Sequence, residues 1–176
     1  MSDQCIWRPG ADGVSAASPV NDGEFATSGF DRLRILERSR RIAMVGLSSN
    51  PFRPSHFAAI YLLAEGYEVI PVNPREKEIL GKKVFPSLKE IQGQVDVVNI
   101  FREPSVVPAL VEQAIEIGAK VVWMQLGVVH MDAARRARQA GLEVVMDRCM
   151  KIEHARFFGG LNTIGLNTGL ITSRRR

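Results

Sequence analysis

Five short runs of apolar, mostly β-branched residues recur along the chain, at 42–45, 68–72, 96–101, 120–124 and 143–146. The segments between them are long enough to hold helices, and in several of them the apolar residues repeat at helical spacing. Nearly continuous apolar strands that alternate with helices are typical of a parallel sheet covered on both faces. The pattern therefore predicts an α/β protein with five parallel strands.

A glycine precedes three of these strands in the same way. Gly66, Gly118 and Gly141 are each followed, two places on, by a charged residue and then by a β-branched run. This recurrence indicates stacked αβ units whose helices end at a glycine. We predict one doubly wound five-stranded parallel sheet with right-handed crossovers and, numbering the strands along the chain, the order 3-2-1-4-5.

The chain has 176 residues, of which 45% are hydrophobic, and this is enough for one substantial core. Residues 1–29 mix Gly, Ser, Ala, Pro and Asp with little periodicity, which predicts a poorly ordered N-terminal extension. We expect a single domain over 30–155. A C-terminal tail at 156–176 is expected to pack on this domain or on a partner.

Composition narrows the class of protein. No apolar run reaches the roughly eighteen residues needed to span a bilayer, and the N-terminus lacks a signal-peptide pattern, so we expect a cytoplasmic protein without membrane contact. Cys5 and Cys149 lack Cys-x-x-Cys spacing and the histidines lack His-Glu-x-x-His spacing, which predicts no disulfide framework and no metal site.

The net charge of +4 is concentrated toward the C-terminus, where Arg174, Arg175 and Arg176 end the sequence. Such a tail could contact RNA, but no aromatic-interleaved basic patch accompanies it. Nucleic acid is therefore disfavoured as a partner. A homo-oligomer or an unknown partner subunit is left open.

The stretch from Gly46 to Ser55 is the first candidate for ligand chemistry. It follows an apolar strand, and its Ser, Asn and Pro residues are typical of a turn that opens a helix. The unpaired N–H groups of a first helical turn, helped by the helix dipole, can bind a phosphate. We predict that this loop binds the phosphates of a nucleotide-containing ligand.

Ligands of open parallel sheets bind outside the carboxyl ends of the strands, where the strand order reverses. In the predicted order this crevice gathers the residues just past four strands, at 46–55, 73–75, 101–102 and 125–127. The sequence Asn73-Pro74-Arg75 stands where an NAD site has an acid, and no Gly-x-Gly-x-x-Gly follows strand 1. Arg53, Arg75 or Lys77 could pair with a phosphorylated ribose, so coenzyme A and NADP both fit at this point.

Several blocks of residues resemble a known family. They are 42–48 with Arg53-Pro54-Ser55, then Val72-Asn73-Pro74, Phe101-Arg102, 123–127, and 146–149 with 151–154. Over about 30–161 the chain is similar to the stand-alone CoA-binding proteins and to the N-terminal domain of the succinyl-CoA synthetase alpha subunit. The resemblance implies a Rossmann-like fold. The synthetase domain that carries the phosphorylated histidine has no counterpart, so ligase activity is not implied.

The resemblance implies CoA phosphates at 47–50, the adenosine end near 72–75 and pantetheine passing 124–127. We expect non-catalytic binding of coenzyme A or an acyl-CoA, with an NADP-dependent oxidoreductase as the alternative. No catalytic residue and no metal ligand is predicted. The predicted cofactor-binding residues are Gly46, Leu47, Ser48, Ser49, Asn50, Arg53, Pro54, Ser55, Val72, Asn73, Pro74, Arg75, Phe101, Arg102, Met124, Gln125, Leu126 and Gly127.

Two further side chains could assist this ligand. His56, beside the loop, could donate to a phosphate. Cys149, shortly after the fifth strand, could form a mixed disulfide with the thiol of CoA. Both remain hypotheses at the level of sequence, since a histidine in a turn is usually a simple polar residue and a free cysteine usually a small buried hydrophobe.

Overall fold

The computed structural model describes residues 27–158. Five strands form a parallel sheet: β1 (Arg41–Val45), β2 (Glu68–Val72), β5 (Val97–Ile100), β6 (Val121–Met124) and β7 (Glu143–Val145). Between β2 and β5 lies a small antiparallel pair, β3 (Glu78–Ile79) and β4 (Lys82–Lys83). The helices are α1 (Gly29–Arg38), α2 (Pro54–Ala64), α3 (Val107–Glu116), α4 (Met131–Gln139) and α5 (Met150–Phe158), with short 3-10 turns at Leu88–Glu90 and Pro104–Val106.

The sheet is buried on both faces, because successive strand residues point to opposite sides. On one face Ile42 and Met44 of β1 pack with apolar residues of α1, α2 and α5. On the other face Ala43 and Val45 pack with α3 and α4. These two cores confirm the doubly wound α/β architecture that the apolar runs predict.

The predicted strand order was wrong. In the order of the five sheet strands along the chain the sheet runs 2-1-3-4-5, that is β2-β1-β5-β6-β7. The third strand, β5, pairs with β1 on the side away from β2. Asp96, just before β5, reinforces this placement, because its carboxylate accepts the backbone N–H groups of Arg40 and Arg41 at 2.9 and 3.0 Å.

The outer edge of β2, where the predicted order would place the third strand, is covered by the segment after β4. The N–H of Phe85 donates to the carbonyl of Pro71 at 2.9 Å, and the N–H of Asn73 donates to the carbonyl of Phe85 at the same distance. Pro71 offers a carbonyl but no N–H to this edge, so an isolated bridge suits the position better than a full strand.

One boundary also differs from prediction. Helix α5 continues to Phe158, three residues past the predicted end of the domain at residue 155. Residues 1–26 and 159–176, with most of the predicted extension and tail and with Cys5, lie outside the described residues. None of the helices within 27–158 has the length and apolar character to cross a bilayer.

Helix α5 is fixed to α1 by a buried ion-pair cluster. Arg32 of α1 places its Nε 2.7 Å from a carboxylate oxygen of Glu153, and Arg156 approaches the other oxygen at 3.3 Å. Glu153 is 1% exposed, so its charge depends on these two partners. The cluster sets the position of the first turn of α5, which borders the cleft described next.

Candidate ligand-binding site

A cleft of about 970 Å³ opens at the carboxyl ends of the parallel strands. The connections after β1 and β2 leave in opposite directions across the sheet, so the strand order reverses between β1 and β5. The segments after β1, β2, β5 and β6 meet there. These are the four segments that the sequence placed at the crevice, although the predicted order of the strands was different. The first turns of α2 and α5 complete the walls.

Most of the predicted site residues line this cleft: Gly46, Ser48, Arg53, Pro54, Ser55, Asn73, Arg75, Phe101, Arg102, Gln125 and Leu126. Three others, Leu47, Val72 and Met124, are buried in the core below it. Ser49, Asn50, Pro74 and Gly127 are exposed beside the cleft without lining it. The apolar strand ends therefore support the cleft through their packing, while the polar residues after them face it.

Gly46 makes the close approach between two of these segments. Its φ is +83°, and its N–H donates to the carbonyl of Val72 at 2.9 Å, which extends the pairing of β1 with β2. A Cβ at this position would lie 2.7 Å from the carbonyl oxygen of Phe101 and 2.8 Å from Cδ of Arg102. A glycine is thus required at this position because the backbone after β5 passes so close to it, whether or not a ligand is bound.

The loop after β1 presents several backbone N–H groups to side-chain oxygens. The N–H of Ser48 donates to Oγ of Ser55 at 3.3 Å, that of Asn50 to Oγ of Ser48 at 3.2 Å, and that of Phe52 to Oδ1 of Asn50 at 2.9 Å. The N–H of Ser49 lies 3.2 Å from both carboxylate oxygens of Glu76. Such a set of oriented donors before a helix N-terminus is chemically suited to an anion.

His56 supports this loop from below. Its Nδ1 lies 2.9 Å from the carbonyl oxygen of Ser48, and the residue is 8% exposed. A carbonyl can only accept, so Nδ1 carries the proton and donates it to Ser48. The hypothesis that His56 donates to a phosphate therefore does not apply to this nitrogen, which positions the loop instead.

Asn73 ties the loop after β1 to the turn after β2. Its amide donates to the carbonyl of Leu47 at 2.9 Å and to Glu76 at 3.3 Å, while its Oδ1 accepts the N–H of Arg75 at 3.0 Å. This Asn-based turn reverses the chain and returns Glu76 to the loop. An acid is therefore present at the end of β2, which the sequence interpretation of Asn73-Pro74-Arg75 missed.

Basic side chains dominate the charge of the cleft wall: Arg53, Arg75, Arg102 and Lys151. Arg102 pairs with Glu103 at 3.0 Å, and this hydrogen bond, with a smaller contribution from Arg75, holds the pKa of Glu103 below its usual value. Within 27–158 the structure shows no ion-pair partner for Arg53, Arg75 or Lys151. Lys77, the other predicted cation, does not line the cleft.

A buried polar pair fixes Gln125 at the base of the cleft. Gln125 donates its amide N–H to Oδ1 of Asn99 at 2.8 Å, and Asn99, which is 0% exposed, donates in turn toward the sulfur of Met150. Asn99 was not among the predicted site residues. The signal was available, since a polar residue inside an otherwise apolar buried strand requires a partner.

The cleft also contains residues that the prediction did not include. Phe52 and Phe57, 88% and 55% exposed, lie at the α2 side, and Lys151 and Ile152 come from the start of α5. Cys149, which the sequence suggested as a contact of the CoA thiol, lines the same cleft just before α5. Cys149 is half-buried with a free thiol, so its predicted disulfide with CoA stays a prediction. Among the described residues no group of His, Cys, Asp and Glu side chains is arranged to hold a metal ion.

Comparison with known proteins identifies the class of domain that has this fold and cleft. A family model described as "CoA binding domain" matches residues 40–155. The chain therefore belongs to the CoA-binding domain family. This confirms the resemblance drawn from the residue blocks.

Two relatives show the range of this family. Over 121 residues the chain is 46% identical to the protein YneT of Bacillus subtilis, covering 69% of this chain and 90% of YneT. Over 141 residues it is 30% identical to the alpha subunit of an ADP-forming acetate–CoA ligase from Pyrococcus furiosus, covering 78% of this chain. The chain thus spans about a third of the length of the ligase subunit, since the match covers 31% of it.

Solved structures agree with the fold. A protein from Pyrococcus horikoshii is 43% identical and superposes with a TM-score of 0.72, covering 74% of this chain and 92% of the other. A protein from Thermus thermophilus is 33% identical with a TM-score of 0.72, covering 75% and 100%. These stand-alone chains are of similar extent to the domain described here.

Proposed function

We propose that this protein binds coenzyme A or an acyl-CoA in the cleft at the carboxyl ends of the parallel strands, and that it does so without catalysing a reaction. The observation that carries the proposal is that the loop after β1, which is rich in N–H donors, and three cations without an ion-pair partner within 27–158 lie in one cleft of a CoA-binding family member. These cations are Arg53, Arg75 and Lys151. The loop suits a diphosphate, and the cations suit the further phosphate on the ribose.

The ligand would be distributed along the cleft in the order of the strand ends. Its diphosphate would bind the N–H groups of Ser48 to Asn50 and the N-terminus of α2, assisted by Arg53. Its adenosine would lie at the turn after β2, with Pro74 against the adenine and Arg75 near the 3′-phosphate. Pantetheine would pass Gln125 to Gly127 and end near Cys149, which lines the same cleft.

Several further expectations belong to this proposal. The protein would act as a carrier, a sensor or a subunit of a larger assembly, in the cytoplasm. A mixed disulfide between Cys149 and CoA would appear as a CoA adduct of that cysteine in mass spectrometry under oxidising conditions, and its absence there would contradict the hypothesis.

Isothermal titration calorimetry with CoA, acetyl-CoA, 3′-dephospho-CoA and NADPH tests the proposal. CoA and acetyl-CoA should bind with one site per chain, and 3′-dephospho-CoA more weakly, because it lacks the phosphate assigned to Arg75. NADPH tests the alternative of an NADP-dependent oxidoreductase. Preferential binding of NADPH, with no heat from CoA, would contradict the proposal.

A further inference from the structure

The carboxylate of Glu76 lies against the loop that is proposed to bind phosphate. Both of its oxygens are 3.2 Å from the N–H nitrogen of Ser49, and one is 3.3 Å from the side-chain nitrogen of Asn73. Within 27–158 no Lys or Arg forms an ion pair with Glu76. The carboxylate is therefore held by neutral N–H donors, and one of these is a donor that a phosphate oxygen would use.

We propose that Glu76 is an internal anionic occupant of this loop, and that a ligand's diphosphate displaces it from Ser49. The inference rests on the proposed function, since it concerns the same loop. A carboxylate and a phosphate are alternative acceptors for one N–H group, and two like charges at this distance repel each other. The two acceptors therefore exclude one another.

The contact makes Glu76 a competitor of ligands that carry a diphosphate. A nucleoside or a pantetheine arm brings no anionic group to Ser49 and can bind while the carboxylate stays in place. A diphosphate must displace the carboxylate to reach the same N–H group. The apparent affinity is lowered by the fraction of molecules in which Glu76 occupies the loop.

The surroundings allow Glu76 to leave without loss of the loop. Asn73 keeps its separate 2.9 Å bond to the carbonyl of Leu47, and His56 keeps its 2.9 Å contact with the carbonyl of Ser48. Neither contact involves the carboxylate. Glu76 itself stands in a turn between β2 and β3, where a change of side-chain rotamer disturbs no regular element.

Calorimetric titration of CoA into wild type, Glu76→Gln and Glu76→Ala tests this inference, with Glu78→Gln as the matched control. Glu78 is exposed and lies two residues further on, in β3. Its substitution by Gln removes the same charge as Glu76→Gln at a position away from the loop. We expect roughly three- to tenfold tighter CoA binding in Glu76→Gln and at least as much in Glu76→Ala, because the competing anion is gone. Glu78→Gln should change the affinity by less than about twofold.

The amide resonance of Ser49 in nitrogen–proton correlation spectra provides a second readout. In the unliganded protein it should shift on Glu76→Ala and stay in place on Glu78→Gln. If Glu76 instead accepts a ribose hydroxyl or merely shapes the loop, both Glu76 variants will bind CoA equally or more weakly, and the inference is overturned while the proposed function stands. Wild type that gives no heat with CoA overturns both.

Discussion

Gly46 approaches the carbonyl oxygen of Phe101 so closely that a Cβ would lie 2.7 Å from it. This contact joins the end of β1 to the end of β5, the two strands between which the sheet reverses its order. Gly46 also has a φ of +83°, which L side chains rarely adopt. The cleft is thus formed where two backbones meet with no room for a side chain.

Gly46→Ala should therefore destabilise the protein by about 3 kcal/mol or more, since it adds a backbone collision to the cost of a left-handed conformation. Gly66→Ala is the matched control. Gly66 has a φ of +85° with nothing within 4 Å of its Cβ position, so it should lose only about 1 kcal/mol. Urea denaturation measures both losses, and equal values would show that the contact with Phe101 is unimportant.

Arg75 and Lys77 form a second matched pair. Arg75 lines the cleft, whereas Lys77 does not. Arg75→Gln should weaken CoA binding roughly tenfold and leave the binding of 3′-dephospho-CoA nearly unchanged, because a charge-assisted contact with the 3′-phosphate would be lost. Lys77→Gln should leave both affinities within about twofold of wild type. Calorimetry that finds the larger loss at Lys77 would reassign the cation.

Asn99 should act on the ligand through Gln125. Asn99→Ala removes the acceptor of the 2.8 Å bond that orients Gln125 and leaves a buried amide without its partner. We expect a loss of about 1–3 kcal/mol in the free energy of unfolding and a weaker affinity for CoA. Asn99→Asp retains an oxygen acceptor for Gln125 and should recover part of the CoA affinity at a cost in stability. No change in affinity in either variant would place Gln125 outside the binding contacts.

His154 should make stability fall in mild acid. It is 5% exposed, its Nδ1 lies 3.0 Å from the hydroxyl of Tyr61, and burial, partly opposed by Glu65, lowers its pKa below the usual 6.5. Below pH 6.5 the histidine is protonated more readily in the unfolded chain than in the folded protein. Protonation therefore stabilises the unfolded state, and the free energy of unfolding falls as the pH is lowered.

The melting temperature should therefore drop between about pH 7.5 and pH 5.5, and it should drop less in His154→Gln. His154→Gln should also be less stable at both pH values, because the ring stacks on Phe158 and contacts Tyr61 and Tyr67 edge-on. An identical pH dependence in both proteins would mean that another group is responsible.

Strand positions followed from sequence because a doubly covered strand must be apolar throughout, and the run at 68–72 coincides with β2. The order of the strands could not be predicted in this way, since an apolar third strand could pair with either β2 or β1. The choice depends on contacts between distant residues, such as Asp96 with the backbone of Arg40 and Arg41. No local pattern encodes such contacts.

The polar part of the cleft was predictable for a related reason. Residues such as Ser48, Asn73 and Arg102 directly follow apolar strands, and the strand ends must meet at one edge of a parallel sheet. The contributions of Glu76 and Lys151 were not predictable in this way. Each depends on how a turn or helix folds back toward β1, which is decided by the Asn73 turn and by the packing of α5.

Native mass spectrometry of the protein mixed with equal amounts of CoA and NADPH tests the central claim most directly, because both ligands compete for one cleft in one sample. The account predicts a complex with the mass of one CoA per chain, and predicts that Arg75→Gln reduces its fraction while Lys77→Gln does not. A complex with NADPH in place of CoA, or no complex with CoA at all, would contradict the account.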